Sequence, residues 1–116
     1  MTVGRVGERE LIHRIARRFA GGTPPGKKLV LGPGDDAALL AAPAGRVWVA
    51  TSDLLLEGVH FRREWTPPRL LGHKALAVNL SDLAAMGADP EAFLLNLGLP
   101  AAWPVASLDE FVDGLA

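Results

Sequence analysis

Three short acidic turns hold the residues with which this 116-residue chain could do chemistry. The first, Leu31-Gly32-Pro33-Gly34-Asp35-Asp36-Ala37, places an aspartate pair directly after a Gly-x-Gly turn. A Gly-x-Gly-x-x-Ala pattern behind a strand-like run, with Asp53 further on, invites a dinucleotide-binding reading. Geometry argues against it. A parallel crossover needs roughly a dozen residues or more, usually helical, whereas Ala38 to Arg46 is short and broken by Pro43 and Gly45. Two aspartates facing a pyrophosphate would also repel it unless a cation stood between them. The second turn, Thr51-Ser52-Asp53, ends an apolar run. The third, Asn79-Leu80-Ser81-Asp82, lies in a helical segment where Asn79 and Asp82 share a face. Asp35, Asp36, Asp53 and Asp82 therefore supply hard oxygen ligands with hydroxyls beside them, and the chain has no cysteine to supply a soft one. Magnesium suits this set, because it takes one or two carboxylates, keeps several waters and completes its shell from substrate phosphates. Taken singly, Asp35 reads better as a turn residue and Asp82 as a buried acid bonded to an amide. Taken together, the three turns point to a polynuclear metal site that holds phosphates.

Other polar and aromatic residues say less by themselves. His60, after Glu57-Gly58-Val59, reads alone as structural or solvated, His13 lies in the polar part of the first helix, and His73 and Lys74 read as solvated unless Lys74 leans toward the phosphates. Trp48, Trp65 and Trp103 read as packing residues, without the aromatic–basic interleaving of an RNA surface. With 12 Lys+Arg against 13 Asp+Glu, the net charge of −1 makes no electrostatic case for nucleic acid or a membrane surface. No apolar run approaches the ~20 residues of a bilayer span. Arg5, Glu8, Arg9 and Glu10 stand where a signal peptide would be apolar, so the expected location is the cytoplasm. There is no Gly-x-x-x-x-Gly-Lys-Ser/Thr loop, so any ATP chemistry must use another scaffold.

The elements that position these turns follow from spacing. Leu11, Ile12, Ile15 and Phe19 fall on one helical face between Glu8 and Phe19, with acids leading and Arg14, Arg17 and Arg18 closing, and Gly21-Gly22 as the stop. Thr23 to Lys28 reads as a loop, and Leu29-Val30-Leu31 as a short strand. Ala37 to Leu40 and Val47 to Thr51 read as antiparallel neighbours around a Pro43/Gly45 turn. Pro67 and Pro68 open a second helix that runs to about Met86, with Gly87 as its cap. Phe93 to Leu99, almost wholly apolar, reads as a strand buried on both faces. Ser107 with Glu110 forms a capping box for a last helix that has barely begun at Ala116. Thirteen Gly and nine Pro exclude a helical bundle. The fold class is α/β, α+β-like, with a mixed, largely antiparallel sheet flanked by helices. Residues 1–116 form one unit, expected to be cut short at its C-terminal end.

Several motifs in order along the chain carry a family resemblance. They are Gly7-Glu8 with Glu10-Leu11-Ile12, then Gly34-Asp35-Asp36-Ala37-Ala38, and Ser52-Asp53 with Gly58-Val59-His60-Phe61. The most specific is the run from Lys74 to Ala88, Lys-Ala-Leu-Ala-Val-Asn-Leu-Ser-Asp-Leu-Ala-Ala-Met-Gly-Ala. Together they resemble the N-terminal domain of the thiamine-monophosphate kinases, within the wider aminoimidazole-ribonucleotide synthetase-like group of ATP enzymes. The resemblance implies an α/β domain that pairs across a homodimer to form a barrel and binds ATP and magnesium. It implies phosphoryl transfer from ATP to thiamine monophosphate, giving thiamine diphosphate and ADP. By matching motif positions, Asp36, Thr51, Ser52, Asp53 and Asp82 would be Mg²⁺ ligands, Asp35 a supporting acid and His60 a substrate contact. No side-chain nucleophile is implied, since phosphoryl transfer rests on positioning and charge neutralisation. Pro33 stands where the family has an aliphatic residue, and Thr51-Ser52 replaces its more usual hydroxyl pair. The family's later Gly-Gly-Asp-Thr segment and its second domain would lie beyond Ala116, so residues 1–116 alone are expected to be inactive. Two alternatives stand beside this reading: a non-catalytic pairing module of the same fold, and a relative acting on another phosphate-bearing substrate.

Overall fold

Acids in the first turn and arginines in the last complement the dipole of an amphipathic helix, and the computed structural model forms it over Glu8–Phe19, as the spacing requires. The structure describes residues 1–20, 29–32 and 34–116. The expected Gly21-Gly22 stop and the Thr23 to Lys28 loop lie outside them. In chain order the elements are α1 (Val3–Val6), α2 (Glu8–Phe19), β1 (Leu29–Leu31), β2 (Leu39–Leu40), α3 (Pro68–Ala85) and α4 (Val105–Leu115). Leu11, Ile15 and Phe19 of α2 pack against the core, whereas Ile12, expected on the same face, is half exposed.

The core lies where α3 crosses α4. Leu71, Trp103, Val105, Leu108, Phe111, Val112 and Leu115 are buried there together with Val3 of α1. Two glycines set how closely the helices approach. A β-carbon at Gly72 would overlap the carbonyl oxygen of Phe111, and one at Gly114 would overlap that of Arg69, so each helix offers its backbone to a notch in the other. Trp103 closes this core with its ring edge-on to Phe111, centroids 6.4 Å apart. Of the three tryptophans it alone is buried, since Trp48 and Trp65 are exposed.

α3 runs over the expected span and ends as its sequence demands. Gly87, at φ +64°, donates to the Ala84 carbonyl, and Ala88 donates to that of Leu83, the double closure of a Schellman motif. α4 departs from expectation. Ser107 is not its cap: the helix starts at Val105 and runs to Leu115, because Val105 N–H is held by the Met1 carbonyl and Thr2 bridges Pro104. This tertiary anchor sets the start two residues before the capping-box signature.

The sheet is smaller than expected. β1 pairs antiparallel with β2, Leu29 opposite Leu40 and Leu31 opposite Leu39 across an irregularity in register. Val47 to Thr51 is not a strand beside Ala37 to Leu40; β1 takes that place. Phe93 to Leu99 is not a strand either, nor is it buried on both faces. Leu95, Leu97 and Leu99 are half-buried against the core, while Leu94, Asn96 and Gly98 point outward. This is the alternation of a one-faced strand, with no hydrogen-bonded neighbour among the described residues.

Candidate functional site

The acidic turns are organised around one helix. Thr51 and Asp53 lie in irregular chain, and α3 holds both. The Thr51 hydroxyl donates to Asp82 Oδ2 at 3.0 Å. The Asp53 backbone N–H donates to Asn79 Oδ1 at 3.1 Å. Asn79 is itself fixed, because its Nδ2 donates to the Ala75 carbonyl one turn back at 2.9 Å. An amide that spends its donor on its own helix and its acceptor on an incoming chain is a positioning device. It leaves the Asp53 carboxylate unspent by this tie.

Asp35 and Asp36 occupy the turn after β1, where Asp35 Oδ1 accepts the Asp36 N–H at 2.9 Å. Asp35 thus shapes the turn that carries Asp36. Asp35, Asp36, Ser52, Asp53, His60 and Asp82 are all exposed, and Thr51 is partly buried. Among the described residues, no group of three or more His, Asp or Glu side chains is close enough to hold a metal by itself. The structure thus brings Thr51 to Asp82 and Asp53 to Asn79, and leaves Asp36 and Ser52 apart from these ties. The donor set is nonetheless made only of carboxylate and hydroxyl oxygens, open to water, and fits a magnesium ion that draws part of its shell from substrate phosphates.

His60 sits in a tight loop. Its N–H donates to the Leu56 carbonyl at 2.9 Å, and the Leu56 N–H donates back to His60 Nδ1 at 3.0 Å. Gly58, at φ +83°, allows the turn and donates to the Phe61 carbonyl. Beside this loop is a shallow hollow of about 200 Å³, lined by His60, Arg62 and Trp65 among others, with the Arg62 guanidinium 5.1 Å from the Trp65 ring centre. A larger hollow of about 510 Å³ lies between α2 and α4, but its charges are already matched. There Arg14 makes a two-pronged pair with Asp109, and Arg18 pairs with Asp113. The Arg14 partnership raises the guanidinium pKa and holds the Asp109 carboxyl below the usual aspartate value. This is a clasp between helices, and none of its residues belongs to an acidic turn.

Two long-range ties were not legible in the sequence. Asn79 was visible as the neighbour of Asp82 on one helical face, but nothing in the spacing showed that it would seize the Asp53 amide. Lys74, which reads from sequence as a solvated side chain, donates from Nζ to the His60 carbonyl at 2.7 Å.

Residues 34–116 match the family model described as AIR synthase related protein, N-terminal domain. The chain belongs to this family. Within it the chain is similar to proteins named thiamine-monophosphate kinase. The one from Mycobacterium tuberculosis is 42% identical over 114 residues, covering 98% of this chain and 33% of the relative. The one from Synechococcus elongatus is 50% identical over 82 residues, covering 71% of this chain and 25% of the relative. The Bacillus subtilis protein is 38% identical over 108 residues, covering 93% and 32%. The chain therefore spans about a third of the length of the curated relatives it matches. The match fits the observed mixture of helices with a small antiparallel sheet, a coarser form of the expected class; it begins at Gly34, inside the first acidic turn, and covers the other two whole. No helix among the described residues is long and apolar enough to cross a membrane.

Proposed function

We propose that this chain is the N-terminal part of a kinase that transfers the γ-phosphoryl group of ATP to thiamine monophosphate, with Mg²⁺, yielding thiamine diphosphate and ADP. A phosphate oxygen of thiamine monophosphate bonds to the γ-phosphorus as the bond to the ADP oxygen breaks. Such a reaction needs little covalent help and draws its rate from positioning and charge neutralisation. The observation that carries the reading is the double grip of α3 on the second acidic turn, Thr51 through Asp82 and Asp53 through Asn79. A carboxylate tied to a hydroxyl, with a second aspartate anchored through its backbone one turn away on the same helix, supports a phosphate-neutralising site over a pairing surface, which has no use for acids that repel one another.

In this reading Asp36, Thr51, Ser52, Asp53 and Asp82 hold Mg²⁺, which when bound neutralises phosphate charge, and Asp35 supports Asp36. His60 contacts substrate from its hollow. Asn79 keeps Asp53 in register with Asp82, so that developing charge meets oxygens already in place. The exposure of all these acids fits a site completed by more protein: a second domain and a second copy of this domain. Pairing of two copies through the Phe93 to Leu99 and Val47 to Thr51 segments would supply the neighbours that these segments lack, and build the barrel across a homodimer. A cytoplasmic location goes with this reading.

The test is a split in kinetics in the full-length gene-encoded protein. Asp53→Asn lowers kcat by about a hundredfold or more, the range seen when a group stabilising developing charge is removed. His60→Ala mainly raises KM for thiamine monophosphate. Full-length protein that makes no thiamine diphosphate, yet phosphorylates another phosphate ester, favours the reading as a relative with a different substrate.

A further inference from the structure

We propose that Lys74 is a positioning residue for the substrate contact, acting through His60; this rests on the reading of His60 given above. The argument begins with the polar atoms of His60. Its N–H is spent on the Leu56 carbonyl and its Nδ1 on the Leu56 N–H. An amide N–H can only donate, so Nδ1 presents a lone pair, and in the neutral ring the proton belongs on Nε2. The His60 carbonyl is taken by Lys74 Nζ at 2.7 Å. Three of its four polar atoms are therefore engaged within the protein, and Nε2–H is left as a neutral donor, suited to a phosphate or hydroxyl oxygen of a ligand.

Of these three ties, two are local to the Leu56 to Phe61 turn and fix the shape of the loop. The third is different. Lys74 lies 14 residues away on α3, the helix that also carries Asn79 and Asp82. This bond ties the loop to that helix, and hence Nε2–H to the helix that carries the acids. The ammonium is exposed. An exposed charge-assisted bond contributes modestly to stability, so its loss should show more in the placement of His60 than in folding.

The experiment uses the full-length protein with Lys74→Met, Lys74→Arg, His60→Ala and the Lys74→Met/His60→Ala double variant. Lys74→Met raises KM for thiamine monophosphate by roughly three- to tenfold, the equivalent of one hydrogen bond, with kcat within about twofold. Lys74→Arg, which keeps a cationic donor, recovers most of the loss. The double variant is no worse in KM than His60→Ala, as expected of a residue that acts through another. ¹⁵N NMR of the imidazoles gives a readout independent of activity: His60 carries its proton on Nε2 in the unsubstituted protein, and Lys74→Met broadens or averages its ring signals. An unchanged KM, additive effects in the double variant, or a proton on Nδ1 would overturn the proposal. If Lys74→Met does not fold, Lys74→Ala takes its place, with the same rise in KM expected and an unchanged KM again overturning the proposal. If the full-length protein makes no thiamine diphosphate, the kinase reading fails, while the NMR comparison judges the tie between Lys74 and His60 separately.

Discussion

The hydroxyl of Thr51 and Oδ2 of Asp82, 31 residues apart in sequence, meet at 3.0 Å and join the second acidic turn to the third. The bond occupies one oxygen of Asp82 and orients the other. If Asp82 belongs to a magnesium site, Mg²⁺ binding to the folded state raises the melting temperature according to its free concentration and Kd, more so with ATP present. Asp82→Asn loses that shift. Thermal melts with and without Mg²⁺ and ATP decide, and identical shifts in both proteins would remove Asp82 from the site.

Close approach of α3 to α4 predicts a sharp contrast among glycines. Gly72→Ala and Gly114→Ala each drive a methyl group into a main-chain carbonyl, and should cost about 3 kcal/mol or more, since neither helix can retreat without opening the core. Gly98→Ala meets nothing within 4 Å and should leave stability almost unchanged. Urea unfolding of the three variants checks this.

Helix α2 has no fully buried residue and depends partly on its arginine clasps. Because Arg14 holds the Asp109 carboxyl below the usual aspartate value of about 3.9, the pair's contribution is present above that pH and disappears as pH falls through the lowered folded-state value. Asp109→Asn should therefore lower the melting temperature slightly at pH 7, by an amount that shrinks as the pH falls through the lowered value. A constant difference between the two proteins across that range would show that the effect is not ionic. The exposure of both partners keeps it small.

The elements written in local chemistry were legible and those set by tertiary contact were not. α2 and α3 could be bounded because apolar spacing, terminal charge, Pro68 and Gly87 all act within a turn or two. Phe93 to Leu99 was misread as buried on both faces because its composition is that of a central strand, while in the single chain only Leu95, Leu97 and Leu99 find the core. The start of α4 depended on Met1 and Thr2, about a hundred residues away in sequence. At the site, the residue types were visible from sequence and the ties between them were not. Nothing in the run around Lys74 and Asn79 says which carbonyl or amide each will reach.

The outward side of Phe93 to Leu99 exposes Leu94 at 85%, and an extended apolar segment with no strand partner among the described residues favours association. Sedimentation across a concentration range should show dimers, and Leu94→Glu should shift them to monomers. Monomers at all concentrations would count against pairing through this segment.

Formation of thiamine diphosphate from thiamine monophosphate and ATP tests the central claim most directly. It should be followed in residues 1–116 alone and in the full-length gene-encoded protein, with and without Mg²⁺. The account predicts no measurable product from residues 1–116, and clear Mg²⁺- and ATP-dependent product from the full-length protein, because a site that works by positioning loses far more than proportionately when part of it is missing. Full activity of residues 1–116, or a folded full-length protein with none, would contradict it.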